Sequence, residues 1–245
     1  MNAAEINHYE EVSGNANHNV RIWTTGKNEI TLGNGNDNVT VLSGGNYTYL
    51  SLRDGSDIVA LRDGLATDIY KNDGYFSLSG SVYRAGTTNI NIGNLWQGGY
   101  FQSQSWRNWI TVGNTGSFIT LDLNAAEINH YQEVSGNANH KVTLTSAGKN
   151  EVWLGNGDDN VTVLSGGNYT YLGLADGSDV VNLGVGLATE ITKKGGYFSL
   201  SGNVYRAGTT NVTAGYLWQG AYIQSQSWRN WITVENTGGF ITLDL

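Results

Sequence analysis

The sequence predicts an all-β protein whose short strands wind into a parallel β-solenoid, and three observations lead to this prediction. The chain of 245 residues contains 34 glycines and no proline. This composition favours extended segments joined by tight turns, because glycine accepts the positive φ angles that such turns need. The two halves of the chain repeat one another. Inside each half a turn motif recurs about every 20 residues, a period typical of stacked architectures.

The duplication covers the whole chain after the first residue. Residues 2–123 align with residues 124–245 without a gap, and most positions are identical. Both copies begin with NAAEINHY, and both contain QSQSWRNWITV near the end. Leu123 runs directly into Asn124, without the polar or Gly/Ser-rich spacer that independent domains often use. The sequence therefore predicts two repeat units, 2–123 and 124–245, that form one continuous body.

A shorter repeat lies inside each copy. The segment Gly14–Val20 is similar to Gly33–Val39, the end of the pattern returns at Gly55–Val59, and the second copy repeats all three. Between these turns apolar and polar residues alternate, which is the pattern of a strand with one buried face. Such runs are Glu29–Leu32, Asn38–Val41, Tyr49–Leu52 and Asp57–Leu61. One turn of the solenoid, called a coil below, therefore takes two strands and about 20 residues.

Each copy should hold about six coils, with parallel strands ~4.8 Å apart from coil to coil. The period fades after residue 65, where the strand-like runs are joined by longer, aromatic-rich connections. This loss of periodicity leaves open an alternative fold, in which the two units form two antiparallel β-sandwich or barrel domains.

Composition argues against several partners and sites. The formal net charge of −8 makes nucleic acid an unfavourable partner, because affinity for a phosphate backbone comes chiefly from lysine and arginine. No run approaches the ~18 consecutive apolar residues of a transmembrane segment, and the amino terminus lacks the basic and apolar regions of a cleaved signal peptide. The absence of cysteine excludes disulfides and thiolate metal sites.

One turn motif resembles that of a known family. The segment Gly33–Val39 reads GNGNDNV and resembles the nonapeptide G-G-x-G-x-D-x-U-x of the RTX, or hemolysin-type, calcium-binding repeats. Leu32 stands in place of the first glycine. Gly155–Val161 matches equally well, whereas Gly55–Asp57 and Gly177–Asp179 keep only the second half of the motif. The resemblance therefore covers only part of the chain.

The RTX resemblance implies a β-roll in which glycine carbonyls and aspartate carboxylates hold calcium, an ion that takes ~6 to 8 oxygen ligands. The aspartates at the matching positions are Asp37, Asp57, Asp159 and Asp179. The resemblance also implies an extracellular protein, secreted without a cleaved amino-terminal signal. The motif is incomplete, because His18 and His140 stand at the aspartate position in the first turn of each copy. In the alternative interpretation, asparagine and aspartate side chains of these turns bond to their own backbone and stack as ladders without an ion.

A second feature is an aromatic run near the end of each copy, where tryptophan and tyrosine alternate with glutamine, arginine and asparagine. An exposed indole offers a flat apolar face to a sugar ring, while neighbouring polar groups bind its hydroxyls. The predicted ligand-binding residues are Trp96, Tyr100, Trp106, Arg107, Trp109, Trp218, Tyr222, Trp228, Arg229 and Trp231. The alternative is that these rings pack in the core, as large aromatic residues often do.

The sequence favours binding over catalysis. No motif such as G-x-S-x-G or H-E-x-x-H is present. We therefore expect a non-catalytic, secreted binding or adhesion protein for a surface glycan or polysaccharide, in which two copies of one site gain avidity. Two alternatives stay open: a secreted toxin that acts on host cells or membranes, and a polysaccharide-acting β-helix enzyme. Neither end of the chain resembles a polar cap, so homo-oligomers formed through coil ends are also expected.

Overall fold

The computed structural model describes residues 2–62, 64–80, 86–202 and 208–245. Within these residues the chain forms 19 strands and no helix. The strands are β1 (Asn2–Ala3), β2 (Ile6–Glu10), β3 (Asn19–Thr24), β4 (Lys27–Thr31), β5 (Asn38–Ser43), β6 (Tyr47–Leu61), β7 (Ala66–Gly80), β8 (Thr87–Leu95), β9 (Gly99–Thr115), β10 (Ile119–Gly136), β11 (His140–Ser146), β12 (Lys149–Trp153), β13 (Asn160–Gly167), β14 (Tyr169–Gly186), β15 (Ala188–Gly202), β16 (Thr209–Leu217), β17 (Ala221–Ser225), β18 (Arg229–Thr237) and β19 (Ile241–Asp244).

Every strand pairing in the described chain is parallel. One column of paired residues runs through Asn7, Asn28, Thr48, Thr67 and Thr88. The fold is a parallel β-solenoid of about 11 turns. This confirms the predicted fold class, and the antiparallel sandwich or barrel alternative is wrong.

The coils continue beyond residue 65, where the sequence period fades. Thr67 pairs with Thr88, and Thr88 pairs with Asn108. Stacking persists because it depends on backbone hydrogen bonds, which tolerate connections of unequal length between the strands. At the repeat boundary, β10 runs from Ile119 to Gly136 without interruption, so the two copies share one continuous ladder.

Each coil has two faces, joined by two corners. The front face contains β2, β4, β8, β12, β16 and β18, and the back face contains β1, β3, β5, β11, β13, β17 and β19. Six long strands, β6, β7, β9, β10, β14 and β15, bend from one face to the other. We call the corner that leads from front to back the aspartate corner, because it contains Asp37, Asp57, Asp159 and Asp179.

Side chains along each strand alternate between the core and the surface. In β4, Asn28 and Ile30 are buried, whereas Lys27 is exposed and Glu29 is half-buried. The buried apolar residues form a single core of mainly isoleucine, leucine and valine drawn from successive coils. Full burial of one such side chain contributes about 1.5–3 kcal/mol. Coil stacking and core formation therefore stabilise each other.

Two glycines allow the tight aspartate corner. Gly55 and Gly177 have φ angles of 131° and 138°, a conformation that L side chains rarely adopt. A Cβ atom on either residue would collide with the carbonyl oxygen of Gly35 or Gly157, one coil earlier. The glycine of the recurring motif is thus required by the close approach of successive turns.

A ladder of buried amides lies inside the front face. Asn108 Nδ2 donates to Asn129 Oδ1 over 2.8 Å, and Asn129 Nδ2 donates to Asn150 Oδ1 over 2.9 Å. Asn150 Nδ2 continues the ladder to Thr170 Oγ1 over 3.2 Å. All four side chains are fully buried, and buried polar groups are stable only when such partners are present. The ladder crosses the repeat boundary without a break.

Candidate functional site

The predicted ligand-binding tryptophans lie on the surface. They are 42–75 % exposed, so the alternative that these rings fill the core is wrong. The six are Trp96, Trp106, Trp109, Trp218, Trp228 and Trp231. Tyr222 is also exposed, and Tyr100 is half-buried.

These residues do not form one cluster, because the run that contains them wraps around a coil. Trp109 lies on the front face, Tyr100 on the back face and Trp96 on the aspartate corner. Trp106 and Arg107 lie where the chain bends from back to front. The second copy has the same distribution, with Trp218, Tyr222, Trp228, Arg229 and Trp231 at equivalent places. The set therefore does not line a single pocket.

Arg107 is held by a carboxylate of the next coil. Its Nε and Nη2 atoms each lie 2.7 Å from an oxygen of Glu127, and Trp106 Nε1 donates to Glu127 Oε2 over 2.5 Å. The hydrogen bond from Arg107 is the main cause that lowers the pKa of Glu127. This arginine therefore belongs to the contact between the two copies.

A stripe of rings crosses four consecutive coils of the front face. Trp109 and His130 stack with ring centroids 3.8 Å apart. The His130 and Trp153 centroids lie 5.2 Å apart, and those of Trp153 and Tyr171 lie 5.1 Å apart. We call these four residues the aromatic stripe. Burial lowers the pKa of His130, which favours the neutral imidazole, although the Glu151 carboxylate, 3.7 Å from Nδ1, opposes the shift.

The stripe depends on a pair of differences between the two copies. Trp153 and Gly173 stand where the first copy has Thr31 and Ser51. Trp153 pairs with Gly173 in the sheet, and a Cβ atom on the glycine would lie 2.7 Å from Cδ1 of the indole. The glycine thus makes room for the ring. Only Trp109 of the stripe is predicted from the sequence, and this paired difference is the signal that points to Trp153.

Polar groups border the stripe. Tyr171 Oη lies 3.0 Å from Thr192 Oγ1, and Tyr169 donates a 2.9 Å hydrogen bond to Glu190 Oε2. Burial, together with Glu190, raises the pKa of Tyr169 to about 12, so this phenol stays protonated. Glu151 lies one coil before Tyr171 in the same column. The border combines hydroxyl groups with acidic acceptors.

The first copy has a shallow groove where the second has the stripe. With a threonine in place of the tryptophan, a cavity of about 340 Å³ is open on the front face. It is lined by His8, Glu10, Glu29, Thr31, Tyr47 and Tyr49. The two copies therefore present different surfaces, an acidic groove and an aromatic stripe.

The aspartates predicted as metal ligands form hydrogen-bonded ladders. Asp57 Oδ1 accepts the backbone N–H of Asp37 over 2.9 Å. Asp37 Oδ1 in turn lies 2.9 Å from both the backbone nitrogen and Nδ1 of His18. The second copy repeats the arrangement with Asp179, Asp159 and His140. Each carboxylate thus binds the backbone of the preceding coil, so the aspartates stack as ladders, but through bonds between coils and not to their own backbone.

A buried lysine ends the ladder in the first copy. Lys71 Nζ lies 2.7 Å from Asp57 Oδ2, and neither side chain has more than 1 % exposure. The ammonium group also donates to the carbonyl oxygens of Arg53 and Gly55 over 2.6 and 3.0 Å. The cation is therefore surrounded by carboxylate and carbonyl oxygens.

The second copy contains the same buried pair. Lys193 Nζ lies 2.6 Å from Asp179 Oδ2 and donates to the carbonyl oxygens of Ala175 and Gly177 over 2.7 and 3.0 Å. Burial raises the pKa of Asp179 to about 6, although Lys193 opposes the shift. The carboxylate is thus costly to bury and depends on its ammonium partner.

The aspartate corner, where calcium is predicted, contains a buried lysine in both copies. Its carboxylate and carbonyl oxygens are ligand types that calcium prefers, but a lysine ammonium group lies among them in both copies. Within the described ranges, no group of three or more histidine or acidic side chains is suited to a metal. Calcium binding by these aspartates stays a prediction, and the geometry favours lysine as the resident cation.

His140 lies in a second buried network. Its Nδ1 is 2.9 Å from Asp159 Oδ1 and its Nε2 is 3.1 Å from Glu133 Oε2, and all three side chains have no solvent exposure. Burial opposes protonation, but the hydrogen bonds and charges of Asp159 and Glu133 prevail and raise the pKa of His140 to about 9. No substrate reaches this histidine, so its role is structural.

Comparisons with known proteins give no assignment. No family model, curated protein or solved structure matches the chain. In the described part of the chain, no helix has the length and apolar character that a membrane crossing requires.

We predict that Lys71→Met lowers the free energy of unfolding by about 3–5 kcal/mol, because it leaves the Asp57 carboxylate buried without its partner. Lys194→Met is the matched control. Lys194 is 69 % exposed and pairs with Asp176 at the surface, so its loss should cost less than about 1 kcal/mol. Urea unfolding followed by tryptophan fluorescence measures both. A rise in unfolding temperature when calcium is added to chelator-treated wild-type protein would contradict the assignment of lysine as the resident cation.

We predict that stability falls as pH rises from about 6.5 to about 9. The folded-state pKa of His140, about 9, is raised above the ordinary value near 6.5. The stabilisation is therefore complete below pH 6.5 and is lost as pH rises through 9. His140→Gln should lower stability and flatten the profile in this window. Thermal unfolding at several pH values checks this, and an unchanged slope in the variant would rule His140 out as its source.

Proposed function

We propose that the chain is a non-catalytic binding protein that takes a neutral polysaccharide along the aromatic stripe. One observation carries the proposal: Trp109, Trp153 and Tyr171 present rings along four coils of the front face, and the buried ring of His130 connects Trp109 to Trp153. Parallel strands are ~4.8 Å apart, so the row extends for roughly 15 Å. A row of this length suits an extended polymer better than a single small molecule.

The chemistry of the stripe and its border supports a carbohydrate ligand. Ring faces pack against the apolar C–H side of a sugar, while nearby hydroxyl and carboxylate groups bind its hydroxyls. Glu151 lies between His130 and Tyr171 in their column, and Glu190 follows Tyr171. The chain has a formal net charge of −8. A polyanion would be repelled by this field, so the proposal is limited to uncharged polysaccharides. An extracellular location stays the prediction made from the RTX resemblance.

We predict that Trp153→Thr weakens polysaccharide binding on the order of tenfold, which corresponds to about 1.4 kcal/mol. Threonine is the residue at the equivalent position of the first copy, so the variant should fold. The matched control is Trp23→Thr. Trp23 is 60 % exposed on the back face, and the second copy has threonine at its equivalent position, 145. Affinity electrophoresis through gels containing neutral or anionic polysaccharides gives the dissociation constants.

Several outcomes would contradict the proposal. Equal effects of the two substitutions would exclude the stripe as the binding surface. Retention by anionic polymers alone would exclude the uncharged ligand class. Release of reducing ends from a bound polysaccharide would favour the enzyme alternative, and leakage of dye from liposomes without polysaccharide binding would favour the toxin alternative.

A further inference from the structure

The repeat boundary shows how one copy of this sequence packs on another. On the front face Arg107 of β9 pairs with Ile128 of β10, and on the back face Ile119 of β10 pairs with His140 of β11. The same sequence segments occur at the two ends of the chain. At the carboxy-terminal end, β18 and β19 are equivalent to the segments that contain Arg107 and Ile119. At the amino-terminal end, β2 and β3 are equivalent to the segments that contain Ile128 and His140.

The carboxy-terminal end exposes apolar surface that the boundary buries. Leu121 and Leu123 have no exposure, whereas their equivalents Leu243 and Leu245 are 52 % and 62 % exposed. The sequences around them are the same, FITLDL in both copies. The difference arises because the next coil covers the first pair and does not cover the second.

The amino-terminal end exposes side chains whose equivalents are buried at the repeat boundary. The side chains of Glu133 and His140 have no exposure, whereas those of their equivalents Glu11 and His18 are 16 % and 17 % exposed. The same ion pair is present in both copies. A covering coil like the one that precedes residue 124 would bury the exposed pair.

The strand β3 is only partly paired on its outer side. β1 pairs with Trp23 and Thr24 alone, whereas β10 pairs with β11 over its whole length, from His140 to Ser146. The uncovered stretch, 18–22, is equivalent to 140–144, which pairs with 119–123. The segment equivalent to 119–123 is 241–245. It therefore has the length and sequence to complete the ladder.

The residues that make polar contacts across the repeat boundary also have equivalents, and these lie at opposite ends of the chain. Glu127 binds Arg107 through two 2.7 Å contacts and accepts the Trp106 indole N–H. The equivalent arginine and glutamate are Arg229 and Glu5, at opposite ends of the chain. Arg229 and Glu5 cannot meet within one rigid solenoid of these residues, so the same clamp would need a second copy of these segments.

One ring contact follows the same pattern. Trp109 stacks on His130 across the boundary with centroids 3.8 Å apart. The equivalent rings are Trp231, which is 69 % exposed, and His8 at the other end of the chain. Stacking of this kind adds about 0.5–1.5 kcal/mol beyond the buried area.

We propose that a second copy of this chain binds head to tail, with β18 and β19 of one molecule pairing in parallel with β2 and β3 of the next. The register is that of the repeat boundary: Arg229 beside Ile6, Ile241 beside His18 and Leu243 beside Val20. The interface is heterologous, so each added molecule presents the same two ends again and the assembly continues along the solenoid axis. The inference rests on the repeat boundary and is independent of polysaccharide binding.

Sedimentation velocity over a series of protein concentrations tests the proposal. We expect wild-type protein to form species larger than a monomer, in proportions that rise with concentration. Leu243→Lys should raise the concentration needed for association at least tenfold. Leu164→Lys is the matched control, because Leu164 is 57 % exposed away from both ends. Unfolding temperatures of both variants establish that each is folded.

A charge-exchange experiment identifies the contacting ends. Glu5→Arg and Arg229→Glu each place like charges at the interface, so each variant alone should associate at least tenfold more weakly than wild type. Mixing the two variants restores opposite charges at every interface and should restore association. A strictly monomeric wild type, equal effects of Leu243→Lys and Leu164→Lys, or failure of the mixture to associate would each overturn the proposal.

Discussion

The parallel register between coils is the constraint on which the rest of the structure depends. Because strands one coil apart pair equivalent positions, a residue type repeated at the coil spacing becomes a column of side chains in contact. Aspartates form a hydrogen-bonded ladder and asparagines form an amide ladder. The aromatic stripe combines the column of Trp109, His130 and Tyr171 with Trp153 from the neighbouring column. Because the two copies have nearly the same sequence, the surface at each end of the chain is chemically equivalent to one side of the repeat boundary. At the boundary that surface is covered by the other copy.

The aspartate corner shows which partners stabilise aspartates that recur in successive coils. A buried carboxylate needs a cation or several hydrogen-bond donors. In each copy the backbone supplies donors at one oxygen and lysine supplies charge at the other. The oxygen ligands resemble those of a calcium-binding turn, but a side chain of the chain itself provides the charge. Asp57 and Asp179 gain a lysine charge in this way, whereas the Oδ2 atoms of Asp37 and Asp159 are buried without a hydrogen-bond partner.

The sequence predicts the fold better than the surfaces. The glycine motif of Gly33–Val39 predicts the solenoid because glycine is needed where successive turns approach closely. This requirement recurs in every coil that contains the motif. The prediction of about six coils in each copy includes the later coils, and about 11 turns are observed in all. The motif fades in the later coils, because backbone pairing tolerates connections of different length. The exposed tryptophans are found but not their separation, since a short aromatic run wraps around a coil. Lys71 is missed because lysine normally faces solvent. The only sequence signal of its burial is that Lys71 lies two residues after Ile69, and therefore on the same inward side of β7.

The most direct test of the parallel register is a cysteine pair placed on neighbouring coils of one column. Thr111 and Gln132 pair across the front face, and the chain has no cysteine of its own. Strands ~4.8 Å apart bring two cysteines within disulfide range. Thr111→Cys with Gln132→Cys should therefore form an intramolecular disulfide on mild oxidation, whereas Thr111→Cys with Thr192→Cys should stay reduced within one molecule. Failure of the first pair to join, or rapid joining of the second, would contradict the stacked architecture and the surfaces derived from it.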